Sequence, residues 1–328
     1  MLSPSLAKAG SSSSSLVNTQ TRPVSTSNTC DPSVSVWKQP STGRRVYLLG
    51  TAHISSESAA LAGRVVQDVH PEAVFVELDA KRVRQTDASE AATVSTEEPQ
   101  PSEAYPKKGI KVPPSVVSGP ELSPPASTLN EGNNNKKKKK DDKGAGVAGA
   151  AIGSAIKGMY KKLDDKGFQP GQEFAVAAKE GYKIGARIVL GDRDVEVTLR
   201  RLAQALRKTD LKTLLVEDSE LERTMSQLMP GKKIPSQEDD NFKEELSFYV
   251  ENMKAKENVQ LLMSQLKRIA PEIYTAMVQE RDEYMGNGLD QLSIFPNVVA
   301  VMGMAHVDGV ETYLRGHGWE PVPLRCRN

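Results

Sequence analysis

Two of the four histidines in this chain stand in the same local setting. Gly50-Thr51-Ala52-His53 follows the apolar run Val46-Tyr47-Leu48-Leu49, and Gly303-Met304-Ala305-His306 follows Val298-Val299-Ala300-Val301-Met302. A glycine after each apolar run permits a tight strand-to-loop turn and close backbone approach. Two more apolar runs end in polar residues: Ala73 to Val76 meets Glu77, and Ala186 to Leu190 meets Gly191-Asp192-Arg193-Asp194. Two imidazoles plus one carboxylate are the ligand set of many hydrolytic metal sites, which acidify a bound water and polarise a carbonyl. His53, His306 and Glu77 are thus the candidate metal ligands, and Arg193 can steady an anionic substrate or transition state. Structural readings stand beside these. A histidine after a strand is commonly a hydrogen-bonded structural residue. Glu77 can be a cap or a surface carboxylate. Arg193 can pair with Glu77 or Asp194, and Gly191 to Asp194 can be a turn with an N-cap. His70, before Pro71, and His317, between two glycines, read as structural.

The elements that must position these residues follow from periodicity. Val46 to Leu49, Ala73 to Val76, Ala186 to Leu190 and Val298 to Met302 read as strands, with a short last strand near Pro321 to Leu324. Ser56 to Val69 has helical spacing and can be capped by Ser55 or Ser56. Strand, helix and strand in that order predict a βαβ unit with parallel strands. Helices are also predicted over Phe168–Lys183, Val195–Lys208 (capped by Asp192 or Asp194), Leu211–Met229, Asp239–Lys267, Ile269–Met285 and Asp308–His317. Glu280-Arg281-Asp282 falls on such a helix, where charge spacing alone reads as a solvated face. The result is an α/β fold: a mixed or mostly parallel sheet flanked by helices, with a duplicated strand-GxxH-helix unit. Ligands of such sheets bind beyond the carboxyl ends of the strands, which places His53, Glu77, Asp192, Arg193 and His306 on one crevice.

Composition bounds the rest. With 43 basic and 42 acidic residues, no global field favours nucleic acid or an anionic membrane. Residues 1–36 read as a disordered or targeting tail; its first 30 residues are Ser/Thr-rich and free of acid. That pattern suggests mitochondrion or chloroplast, with the cytoplasm as the alternative. The domain then spans 37–328. A stretch at about 88–143, rich in Pro, Ser, Glu, Asn and Lys, reads as a disordered insertion. Its Lys136 to Lys140 run reads as a linker charge run rather than a nucleic-acid patch. Gly149 to Gly153 has the glycine spacing of a closely packed helix, either within the domain or at a membrane-surface or oligomer contact. No run is long enough for a spanning helix. Cys30 and Cys326 form no evident framework, so a reducing compartment is the simplest reading.

At its motif residues the chain resembles the TraB/PrgY/GumN family, to which the Tiki metalloproteases are related. VYLLGTAHISSES, VFVEL, IVLGDRDVEVTLRRL, ERD at 280–282 and VMGMAHVDGV occur in family order. The resemblance implies one α/β domain with His53 and His306 in a single cleft, shared with Glu77 and the Arg193 and Arg281 regions. In the Tiki branch the set is linked to peptide cleavage with a divalent metal, manganese or cobalt. On this basis Glu77 or Glu280 can serve as general base, and Arg193 or Arg281 as electrostatic clamp. The expected function is metal-dependent hydrolysis of peptides. The alternative is a non-catalytic binding or adaptor protein at an organelle, capturing a peptide or protein ligand.

Overall fold

The computed structural model describes residues 28–82, 116–118, 152–154, 157–158, 161, 165, 170–209, 223, 242–324 and 326. Among the described residues seven strands form one mixed sheet: β1 (Val34–Lys38), β2 (Arg45–Thr51), β3 (Ala73–Val76), β4 (Val116–Ser118), β5 (Arg187–Leu190), β6 (Asn297–Gly303) and β7 (Glu320–Pro321). Their order across the sheet is β4-β5-β3-β6-β2-β1-β7. β4, β5, β3, β6 and β2 run parallel, while β1 pairs antiparallel with both β2 and β7. β2 and β3 are parallel, as the βαβ pattern predicts, but β6 is inserted between them and pairs with both. This insertion brings the two Gly-x-x-His turns together, because Gly50 lies opposite Met302 and Thr51 opposite Gly303.

Side chains alternate across the strands, so each face of the sheet carries its own core. On one face Tyr47, Leu49, Val74, Val76, Ile188, Val299 and Val301 pack against α1 (Ser56–Val69) and α2 (Gln172–Lys183). On the other, Val46, Leu48, Phe75, Val298, Ala300 and Met302 meet the later helices through Met285, Leu289, Val307 and Leu314. Ser55 caps α1 by accepting from the Ser58 amide, and Asp194 caps α3 (Val195–Lys208) by accepting from the Glu196 amide. Both caps satisfy otherwise orphaned first-turn donors.

Several expectations change here. The helix expected over Asp239–Lys267 is two, α4 (Phe242–Met253) and α5 (Lys256–Ile269). The break lets α5 lie along the last helix, where Lys256 pairs with Glu311 at 2.5 Å and Gln260 bonds Asp308 at 2.7 Å. The helix expected over Ile269–Met285 is interrupted by a π turn, Thr275–Gln279, between α6 (Pro271–Tyr274) and α7 (Glu280–Gln291). The final helix, α8 (Met304–Gly316), starts directly from β6 without a loop, four residues before the expected Asp308. His306 therefore sits in its first turn.

The reading of the cysteines is corrected: Cys30 and Cys326 form a disulfide, with Cα atoms 5.6 Å apart. The fold returns the C-terminal segment to β1 through the β1–β7 pairing, which sequence spacing could not reveal. The pairing removes the argument for a reducing compartment, since such bonds persist in oxidising ones. Within the stretch read as an insertion, Val116–Ser118 add a parallel edge strand beside β5. Most of the expected helix at Leu211–Met229, the Lys136 to Lys140 run and most of Gly149 to Gly153 lie outside the described residues. Among the described residues no helix is long and apolar enough to cross a membrane.

Candidate functional site

The site assembles at the carboxyl ends of β2, β6, β3 and β5. Glu77 follows β3 directly and is buried. Its Oε2 accepts from the Gly303 amide at 2.7 Å, which ties it to the second Gly-x-x-His turn. Its Oε1 is held by the Arg281 guanidinium and lies 3.3 Å from Nε2 of His306. Arg281 also bonds both oxygens of Asp192, at 3.0 and 2.8 Å. Asp192 in turn is gripped by Arg82, which Asp79 fixes at 2.5 Å. Three buried carboxylates, from the ends of β3 and β5, thus share two guanidinium groups. Such bidentate contacts suit the fixed donor fork of arginine.

The two histidines are built alike. Nδ1 of His306 lies 2.6 Å from Asp282, and Nδ1 of His53 lies 2.6 Å from Glu173. Each ring leaves Nε2 on the Glu77 side of the cleft. For His53 this follows from Gly303, where an added Cβ would stand 2.9 Å from His53 Nε2 and 3.4 Å from Glu77 Oε2. Any other residue at 303 would displace the ring, so glycine here serves close approach rather than backbone freedom. His53 is the accessible member, with its side chain 36% exposed against 6% for His306.

Charge and burial shift the histidines and two of the carboxyl groups of this cluster. Burial opposes ionisation of Glu77, but the His306 and Arg281 charges outweigh it and hold the carboxyl well below the usual range. Burial likewise opposes protonation of His306, yet Glu77 and the Asp282 bond push it up to about 9. Burial raises Asp282 to about 6, against the pull of His306. For His53, burial works against the charged ring, while the Glu173 bond and the Glu77 charge raise its pKa overall. Arg281 Nη1 also contacts His306 Nε2 at 2.9 Å. That contact uses the Nε2 lone pair, whereas a bond from Nε2 to Glu77 needs a proton there. Nε2 therefore stands between two partners that favour opposite protonation states.

The other expected site residues lie beside this cluster. Arg193 pairs with Glu280 at 2.6 Å, not with Glu77 or Asp194, and donates to the Ala276 carbonyl at 3.0 Å. Glu280 is also bonded by Arg201 Nε at 3.0 and 3.1 Å. The structure therefore brings His53, Glu77, Asp192, Arg281 and His306 together and sets Arg193 and Glu280 apart as their own ion-pair group. Arg281 and Asp282 are buried, not part of a solvated face. The sequence reading missed Glu173, Arg82 and Asp79. No sequence signal marks Glu173, which is 120 residues from His53. Asp79 follows the strand-end Glu77 and Arg82 lies three residues on, so that pair was within reach of spacing.

Among the described residues no group of three or more His, Cys, Asp or Glu side chains is arranged to hold a metal ion. Histidines whose other ring nitrogen is engaged by a carboxylate are the usual support of metal-ligating imidazoles. Arg281, which bridges Glu77 and His306, holds the ligand atoms those residues would offer.

A three-layer α/β sheet with a buried histidine, carboxylate and arginine network at its strand ends defines the class of this protein. The chain belongs to the TraB/PrgY/gumN family, whose profile matches residues 35–108 and 148–323. It is 26% identical over 272 residues to an uncharacterised protein of Methanocaldococcus jannaschii, covering 82% of this chain and 53% of that one. It is 26% identical over 295 residues to the TraB domain-containing protein of Mus musculus, and also to that of Homo sapiens. Each match covers 82% of this chain and 62% of the relative. The chain thus spans about half to three fifths of the length of these relatives.

Proposed function

We propose that the cleft is a hydrolytic site acting on peptides, in which His53, His306 and Glu77 hold a divalent metal such as Mn²⁺ or Co²⁺. The observation that carries this is the paired construction of the histidines. Each commits Nδ1 to an acidic side chain 2.6 Å away and keeps Nε2 beside Glu77. A bound metal would supply an acidified water and a polarised substrate carbonyl. The chain's own residues do the rest. Glu173 and Asp282 orient the imidazoles, the Gly303 amide fixes Glu77, and Asp192 holds Arg281 where it can stabilise developing negative charge. For the ligands to be free, Arg281 must release Glu77 and His306 while keeping Asp192. Of the two carboxylates considered, Glu77 is the one placed at the imidazoles, because Glu280 is paired with Arg193 and Arg201 outside that cluster.

One observation favours a second reading, a non-catalytic peptide-binding protein. The Arg281 guanidinium already satisfies both Glu77 and His306 Nε2. The test is metal content and Mn²⁺-dependent melting of the wild type beside the His53→Ala/His306→Ala double variant. Ligand at 100 times its Kd stabilises by about 2.7 kcal/mol, so a clear rise in Tm confined to the wild type is expected. Equal, negligible metal and no Mn²⁺ effect in both proteins would overturn the hydrolase reading in favour of the binding one.

A further inference from the structure

We propose that Glu173 is the positioning residue of His53. It accepts a hydrogen bond from Nδ1 of the ring and so turns Nε2 into the cleft. This rests on the reading above, in which Nε2 of His53 is the working atom. Glu173 lies in the first turn of α2 and is fully buried. The start of that helix is fastened to the histidine loop itself, because the Gly171 amide donates to the His53 carbonyl at 3.1 Å. Oε1 of Glu173 lies 2.6 Å from His53 Nδ1 and also accepts from Thr51 Oγ1 at 3.4 Å. Phe174 braces the ring from another side, with centroids 5.5 Å apart.

The second oxygen gives the argument its direction. Oε2 of Glu173 is buried and has no hydrogen-bond partner among the described residues. A carboxylate kept only for packing would be expected to satisfy both oxygens or to be replaced by an apolar side chain, because an unmet buried acceptor is destabilising. Here the carboxylate directs its hydrogen bonding through Oε1, to the imidazole and to a hydroxyl of the same turn. The arrangement matches that of Asp282 on His306, so both rings present Nε2 to Glu77.

The test is long-range ¹H–¹⁵N NMR of the full chain at a pH where the rings are neutral. Wild-type His53 should show a protonated Nδ1 and an unprotonated Nε2. Glu173→Ala should shift the ring towards the Nε2–H tautomer and weaken Mn²⁺ binding about 10- to 100-fold. Glu173→Gln, whose amide carbonyl can still accept from Nδ1–H, should restore the wild-type tautomer. A purely structural role would alter melting without this pattern. A proton on Nε2 of wild-type His53 overturns the proposal, as does an unchanged tautomer in Glu173→Ala. If Glu173→Ala fails to fold, the wild-type spectrum decides alone. If the wild type binds no Mn²⁺, the metal reading falls, and the tautomer still decides the role of Glu173.

Discussion

The carboxylate of Asp282 stands 2.6 Å from Nδ1 of His306, and Gly309 is what lets it stand there. A Cβ at residue 309 would lie 2.0 Å from Oδ2 of Asp282 and 2.5 Å from its Cγ. Both residues are on helices of the same face, α7 and α8, so little can give way except the Asp282 side chain. Gly309→Ala should therefore push Asp282 off the imidazole and destabilise the fold by about 1–3 kcal/mol, the usual range for overpacking. Urea unfolding would measure it. A wild-type midpoint would mean that Asp282 is not held by this contact.

Stability should fall on the alkaline side because of His306. Its pKa in the fold, about 9, lies above the ordinary 6.5. A raised value means that the protonated ring contributes stability in full below pH 6.5, and that the contribution is lost as pH rises through 9. The size is on the order of 3 kcal/mol. Glu77 works in the other direction. Its lowered pKa gives stability that is present above the usual carboxylate range and lost as pH falls. In His306→Gln the decline between pH 6.5 and 9 should shrink to the part contributed by His53, whose pKa is also raised. Denaturation curves of both proteins at several pH values decide it; parallel declines would assign the loss to another group.

Arg281 holds two buried carboxylates, Glu77 and Asp192, whose side chains are 4% and 3% exposed. Removing one member of a buried pair leaves uncompensated charge and typically costs about 3–5 kcal/mol. Arg281→Met should show a loss of that size. Arg281→Lys should recover only part of it, since an ammonium cannot reproduce the fork that reaches both acids. In Arg281→Met combined with Glu77→Gln the loss should be smaller than the sum of the single losses. Additive effects would show that the two residues do not act as a pair.

Much of the sheet was legible because its strands are short, β-branched and bounded by glycine or proline. Val298 to Met302 and Ala73 to Val76 announce themselves this way, and α1 and α3 have the bounds their periodicity indicates. β1 was not read as a strand of its own: its first residues, Val34 to Val36, fall in the stretch read as a tail, and its place in the sheet depends on β7, which pairs Glu320 with Lys38, 282 residues earlier (320 − 38). The start of α8 was misplaced because Gly303-Met304-Ala305 has no capping side chain, and Gly303 serves as N-cap without one. In the site, the strand-end residues His53, Glu77, Asp192 and His306 were legible, since strand ends can be read. Glu173 was not, because only the packing of α2 on α1 brings it to His53. Asp282 was visible within Glu280-Arg281-Asp282, but charge spacing cannot tell a solvated face from one turned onto buried histidines.

Glu280 and Glu77 can be separated as candidates for the catalytic carboxylate. Glu280 is bonded by Arg193 at 2.6 Å and by Arg201 at 3.0 and 3.1 Å, and its side chain is 23% exposed. Burial raises its pKa, but those two arginines outweigh it and bring it below the ordinary value. Glu77 is held low as well, by His306 and Arg281, so position is what separates the two: Glu77 lies against His306, and Glu280 lies with its two arginines. Glu280→Gln should therefore cost about 1–2 kcal/mol of stability, the scale of a hydrogen-bonded charge pair that is partly open to solvent. It should leave Mn²⁺-induced stabilisation intact. Glu77→Gln should abolish that stabilisation, because it alters the one carboxylate that the Gly303 amide and His306 both face. Thermal shift with and without Mn²⁺ on the two variants makes the comparison. The reverse pattern, with Glu280→Gln losing the metal response and Glu77→Gln keeping it, would move the chemistry to the Arg193 side of the cleft.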